Sequence, residues 1–250
     1  CISETVSVKR FMLGHQFHQK GYEIIDTLVQ EDFLDDIVQT TKIPFENQMF
    51  SLKCKSMEEL FKKHNDVFMN CAKHAQWNIQ LHLLGSQLGF RVTNYMDAAP
   101  LVYICTRPVV YFNNLKTSKQ KINHTMPAHV DSASMQGSSD SVVLWVPLIS
   151  MTEDHGYLEV VPGSHKMNPE ISKLKDGFGT VDESLYDFEP IKVPKGSGLV
   201  FKSKLIHRSG NLKDNKVTRW SAHFRYNNMN NEKFIENKYP HPYEYRNIPV

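Results

Sequence analysis

Eight residues near the end of the chain, Arg219-Trp-Ser-Ala-His-Phe-Arg-Tyr226, alternate strictly between polar and apolar side chains. With the period of two of an extended strand, Arg219, Ser221, His223 and Arg225 share one face, and Trp220, Ala222, Phe224 and Tyr226 the other. The apolar set is expected to form an outer face, and the polar set to point into a barrel. A buried guanidinium is costly unless an anion pairs with it. This strand therefore implies a sheet with two unlike faces and a negatively charged partner for Arg219, whose fixed fork of donors suits a carboxylate.

A second stretch says what could stand in front of that inner face. In Pro127-Ala-His-Val-Asp131, strand geometry would put His129 and Asp131 on one side and Val130 on the other. A distant imidazole, His207 in His207-Arg-Ser-Gly-Asn211, would complete two neutral nitrogens and one anionic oxygen around a metal. That set leaves coordination positions open, as a non-haem Fe(II) centre that activates O2 requires. A His-x-Asp pair alone is common; the residues around it give it weight.

Composition excludes several classes. The 250 residues are 40% hydrophobic and 22% charged, with a net charge of +2, as in an ordinary globular protein. There is no dense basic stripe with interleaved aromatics, so no nucleic-acid partner is expected. No run approaches the roughly 20 apolar residues that span a bilayer, so no membrane role is expected, and no secretory leader is read at the start. Cys1, Cys54, Cys71 and Cys105 are too widely spaced for a metal knuckle and read as reduced thiols, which points to the cytoplasm. Nothing in the sequence sets an oligomeric state.

The pattern along the chain predicts a single domain over 1–250, with helical support to about 88, a β core over about 89–228 and a tail over 229–250. Helices are expected over 4–19, over Leu28–Thr40 until Pro44 breaks the run, and from Ser56 to about Gln87 with an interruption near Lys73–Gln76. Ser56 and Glu59 suggest a capping box. Strands are expected at Tyr22–Ile25, Phe90–Thr93, Leu101–Asn113, Val142–Leu148, Tyr157–Val161, Ile191–Val193, Gly198–Phe201 and Val217–Tyr226. The polar stretch over about 165–190 exceeds the usual loop length and reads as a lid or binding loop.

Taken together, Pro127–Asp131, Asp140-Ser-Val-Val-Leu-Trp-Val-Pro-Leu148, Asp154-His-Gly-Tyr-Leu-Glu-Val-Val-Pro-Gly-Ser-His-Lys166, His207-x-Ser-x-Asn211 and Arg219–Tyr226 resemble the phytanoyl-CoA dioxygenase family of iron- and 2-oxoglutarate-dependent oxygenases. The resemblance is strongest over about 125–226. It implies a double-stranded β-helix, a cupin-like jelly-roll with N-terminal helices, with Fe(II), 2-oxoglutarate and O2 as cofactor and cosubstrates. It further implies that Arg219 and Ser209 hold the distal carboxylate of 2-oxoglutarate, with Trp145 nearby. Related halogenases lack the carboxylate ligand, so Asp131 favours oxygen insertion. The expected activity is hydroxylation of a small-molecule metabolite, with succinate and CO2 as co-products. Desaturation, cyclisation or epimerisation on the same iron, and a cupin-like binding module without turnover, are the alternatives. Tyr111, Asn113, Gln136, His223 and Arg225 are the candidate substrate contacts, although the family often carries a structural arginine at the position of Arg225.

Overall fold

The computed structural model describes residues 16–96, 102–116, 125–173 and 179–239. Its elements, in chain order, are β1 (Tyr22–Ile25), α1 (Glu31–Ser51), α2 (Met57–Lys63), α3 (Asn65–Ala75), α4 (Ile79–Val92), β2 (Tyr103–Cys105), β3 (Val109–Asn113), α5 (Asp131–Met135) and β4 (Val142–Pro147). They continue with β5 (Leu158–Val160), β6 (Ser172–Lys173), β7 (Gly179–Thr180), β8 (Glu189–Ile191), β9 (Gly198–Lys202), β10 (His207–Ser209), β11 (Arg219–Asn228) and α6 (Glu232–Glu236).

Two antiparallel sheets face each other in a jelly-roll. The larger runs β1-β9-β4-β11, with β2 and β3 both paired along the far edge of β11. The smaller runs β10-β5-β8, and His129 extends it by bridging His207. The expected alternation of β11 is present: Trp220, Ala222, Phe224 and Tyr226 pack in one core with Leu84 and Leu88 of α4. In β4, Val142, Leu144 and Val146 join that helical core, whereas Val143 and Trp145 enter the space between the sheets with Leu158, Val160 and Phe201. Each such side chain, fully buried, contributes about 1.5–3 kcal/mol, so the helices fix the large sheet from its outer face.

Several elements differ from the sequence reading. Pro44 lies inside α1 and does not end it. The buried residues Leu34, Ile37, Val38, Thr41 and Phe45 continue one helical stripe across it, and that shared face holds both halves despite the missing N–H. Residues 90–92 are the last turn of α4, not a strand. Leu81, Leu84, Leu88 and Val92 repeat at helical spacing, while Phe90 points to solvent at 79% exposure. Gly85 and Gly89 let the sheet approach α4: a Cβ at Gly85 would lie 2.9 Å from Phe224, and the Tyr226 hydroxyl donates to the Gly85 carbonyl at 2.7 Å. Ser56 does cap α2, accepting from the Glu59 N–H at 3.1 Å, but the Glu59 carboxylate accepts from Lys55 rather than from the Ser56 amide. The break between α2 and α3 falls at His64, a boundary the sequence reading missed. The strand expected over 101–113 divides into β2 and β3 around Pro108. The expected helix over 4–19 lies largely outside the described residues, where 16–20 are helical.

The described parts of 165–190 take an unexpected place. Val181, Tyr186 and Phe188 pack with Ala128, Val130 and Ile206, the residues that alternate with His129 and His207. This segment thus covers the back of the smaller sheet. The Val181 N–H donates to the Ala128 carbonyl at 3.0 Å, and the Ala128 N–H donates to Glu183 at 2.8 Å.

Candidate metal centre

The backbone sets the two imidazoles first. The His129 N–H donates to the His207 carbonyl at 3.0 Å, and the His207 N–H donates back to the His129 carbonyl at 3.1 Å. Each ring is then oriented by its own chain: His129 Nδ1 meets the Pro127 carbonyl at 2.7 Å, and His207 Nδ1 the Leu205 carbonyl at 2.9 Å. A carbonyl only accepts, so both Nδ1 atoms carry the proton and each ring's lone pair sits on Nε2, the atom a metal would take.

Asp131 reaches the same point by a different route from the one expected. The chain leaves the sheet after Val130, and Asp131 is the first residue of the short helix α5. Its Oδ1 lies 3.9 Å from His129 Nε2. His129, Asp131 and His207 are all buried, and one ligand atom from each lies within 4.8 Å of the others.

The electrostatics suit a cation. Burial, with His207 adding to it and Asp131 opposing, pushes His129 down to about 3. Burial lowers His207 as well. Both rings are therefore neutral at pH 7, and the approach to Asp131 is between ligand atoms rather than an ion pair. Burial acts to raise the Asp131 carboxyl, but Arg225, then His207 and His129, more than reverse it and keep it ionised. Asp131 Oδ2 is buried with no hydrogen-bond partner. A buried carboxylate oxygen left bare costs about 1–3 kcal/mol or more, and a metal ion is a group that would satisfy it. The donors fit the ion.

Arg219 opens β11 on the face shared with Ser221, His223 and Arg225. It is 3% exposed. Its Nη1 donates to the Gly156 and Gly210 carbonyls at 3.0 and 3.3 Å, and its Nε and Nη2 donate to Asn113 Oδ1 at 3.3 and 3.2 Å. Among the described residues no carboxylate pairs with it, and burial lowers it to about 10. A guanidinium held only by neutral acceptors retains an unmet demand for negative charge. One N–H of Nη2 is left over from these bonds, and a carboxylate would find a charged donor there.

A cavity of about 40 Å³ opens beside His129, Asp131 and His207, and Tyr111, Ser209, His223 and Arg225 are among the residues that line it. Asn113 instead holds Arg219, and Trp145 belongs to the core between the sheets, opposite His223 in register. Gln136 ends α5 in the left-handed region at φ 50° and lines a separate cavity of about 380 Å³. Met126, Met135 and Leu158, which complete the wall, carried no sequence signal beyond being apolar. Also unforeseen were the two glycine carbonyls on Arg219 and the contact of Arg225 Nη2 with Asp131 Oδ1 at 3.2 Å.

A jelly-roll bearing two histidines and one carboxylate with open positions is the arrangement of non-haem iron oxygenases. Residues 17–219 match the phytanoyl-CoA dioxygenase (PhyH) family, and the chain belongs to that family of iron- and 2-oxoglutarate-dependent enzymes. No curated protein matches it in sequence. Solved structures similar in fold include the α-ketoglutarate-dependent epimerase SnoN from nogalamycin biosynthesis, at 11% identity and TM-score 0.55 over 89% of this chain and 84% of that one. AviO1 from Streptomyces viridochromogenes Tue57 is similar at 14% identity and TM-score 0.53 over 91% and 95%. EvdO2 from Micromonospora carbonacea var. aurantiaca, complexed with 2-oxoglutarate, is similar at 13% identity and TM-score 0.52 over 84% and 87%.

Proposed function

We propose that the chain is an Fe(II)- and 2-oxoglutarate-dependent dioxygenase that hydroxylates a small-molecule metabolite and releases succinate and CO2. We place it in the cytoplasm, in keeping with free Cys54, Cys71 and Cys105. The observation that carries the reading is the buried set His129, Asp131 and His207, with both Nε2 atoms turned away from their backbone carbonyls and a bare Asp131 oxygen beside them. When bound, iron supplies the site at which O2 and 2-oxoglutarate react to oxidise a C–H bond.

The protein's own part is geometry and charge. His129 and His207 present neutral nitrogens from a backbone-paired couple, and Asp131 supplies the single negative charge. Arg219 binds the distal carboxylate of 2-oxoglutarate, and Ser209, on the cavity wall, assists it. Met126, Met135 and Leu158 keep water from the reacting centre. Tyr111 and His223, whose rings meet edge-on at 4.7 Å, form the polar wall that faces substrate. His223 Nδ1 is buried without a partner and is a natural contact for a substrate hydroxyl or carboxyl.

The test is an anaerobic titration of the metal-free protein with Fe(II) and 2-oxoglutarate, following the visible charge-transfer band. The band is expected in the wild type, weakened in Arg219→Ala and absent in His207→Ala. No band under any condition would sink the assignment. With a substrate in hand, the product mass separates the outcomes: a gain of one oxygen supports hydroxylation, and a loss of two hydrogens or an unchanged mass overturns it.

A further inference from the structure

His129 and His207 are each restrained twice, by reciprocal backbone hydrogen bonds and by an Nδ1 contact with a carbonyl. Asp131 has neither restraint. It opens a helix of five residues, outside the regular strands of both sheets. Among the described residues a single donor reaches its side chain: Arg225 Nη2, 3.2 Å from Oδ1. Both groups are buried, Asp131 at 1% exposure and Arg225 at 7%. Arg225 stands on β11, bonded along its length to β4, and on the same face as Arg219. It also lies beyond residues 17–219, where the family match ends.

We propose that Arg225 is a positioning residue that fixes the orientation of Asp131 as a ligand and ties it to the strand that carries the anion-binding Arg219. The inference rests on reading His129, Asp131 and His207 as metal ligands. The guanidinium holds Oδ1, the oxygen that also lies 3.9 Å from His129 Nε2, so the carboxylate cannot rotate freely and presents the same edge to a metal.

A counter-charge and a positioning group predict opposite signs. A guanidinium acting only through its charge repels a divalent cation, so its removal would tighten metal binding. A guanidinium that holds a ligand in place weakens binding when lost, by about 10–100-fold for an outer-shell partner. The experiment is a titration of the metal-free full chain with Co(II), followed by its visible absorption, in the wild type, Arg225→Met and Arg225→Lys, each checked for native circular dichroism. The Met variant is expected to bind Co(II) about 10–100-fold more weakly and with an altered band shape. The Lys variant, which keeps a charged donor for this single-headed contact, recovers most of the affinity. Binding in the Met variant that is unchanged or tighter, with the wild-type spectrum, overturns the proposal and leaves the ligand assignment standing. No cobalt uptake by the wild type overturns both. Should the Met variant not fold, Arg225→Gln takes its place: an altered spectrum with weaker binding supports the proposal, and unchanged or tighter binding overturns it.

Discussion

At the scale of single residues, the centre is defined by what burial does to charge. Three imidazoles, those of His129, His207 and His223, are held below their ordinary value mainly by desolvation. Each therefore binds fewer protons in the folded than in the unfolded chain once the pH drops below about 6.5. Their stabilising contribution is complete above that value and is lost as the pH falls from it toward the folded value, which for His129 is about 3. The unfolding free energy of the metal-free protein, and with it the thermal midpoint, is expected to fall on acidification from pH 7 to pH 4, the free energy at a limiting slope of about 1.4 kcal/mol per pH unit for each histidine. Asp131 adds a loss of the same sign at lower pH, because its carboxyl is also held down. Scanning calorimetry over that range measures the slope. A flat profile, or one that His129→Gln leaves as steep as before, would refute the neutral-histidine account.

At the scale of elements, the guanidinium of Arg219 depends on two loops that have no chemistry of their own. Gly156 closes the turn before β5 at φ 67°, and a Cβ there would lie 2.6 Å from the carbonyl oxygens of Gly210 and Asn211. One of those carbonyls, together with that of Gly156 itself, accepts from Arg219. Gly156→Ala must therefore push the two loops apart. It is expected to cost about 1–3 kcal/mol in denaturant unfolding and to weaken 2-oxoglutarate binding to the metal-loaded protein. Full 2-oxoglutarate affinity in the Ala variant would show that the clasp around Arg219 is incidental.

The same scale explains what the sequence made legible. The face assignment of Arg219 to Tyr226 followed from a period of two, because both faces of that strand are buried in unlike surroundings. His129 and Asp131 were brought together correctly but by the wrong geometry, since the turn from sheet into α5 follows Val130 without a glycine or proline to mark it. Pro44 and Phe90 misled for a shared reason: local preference was outweighed by a continuous buried stripe on the helix that contains each of them. The contact of Arg225 with Asp131 spans 94 residues, and no local pattern encodes a pairing across that distance.

At the scale of the whole molecule, the two sheets divide the labour. The smaller one offers both imidazoles, backed by the segment that ends in Glu183 and Phe188. The larger one offers both arginines, backed by helices among which, in the described residues, none is long and apolar enough to cross a membrane. The reciprocal amide pair between His129 and His207 then has a kinetic consequence. Because two-thirds of the ligand set is locked by main-chain bonds that require no metal, capture of the ion demands no prior folding step from those strands. The observed rate of cobalt uptake in a stopped-flow mixer should rise linearly with cobalt concentration, without levelling off, and the amides of His129 and His207 should exchange slowly in the empty protein. A rate that saturates would mean that the centre must first open or assemble, and that the pair is a product of the metal rather than its template.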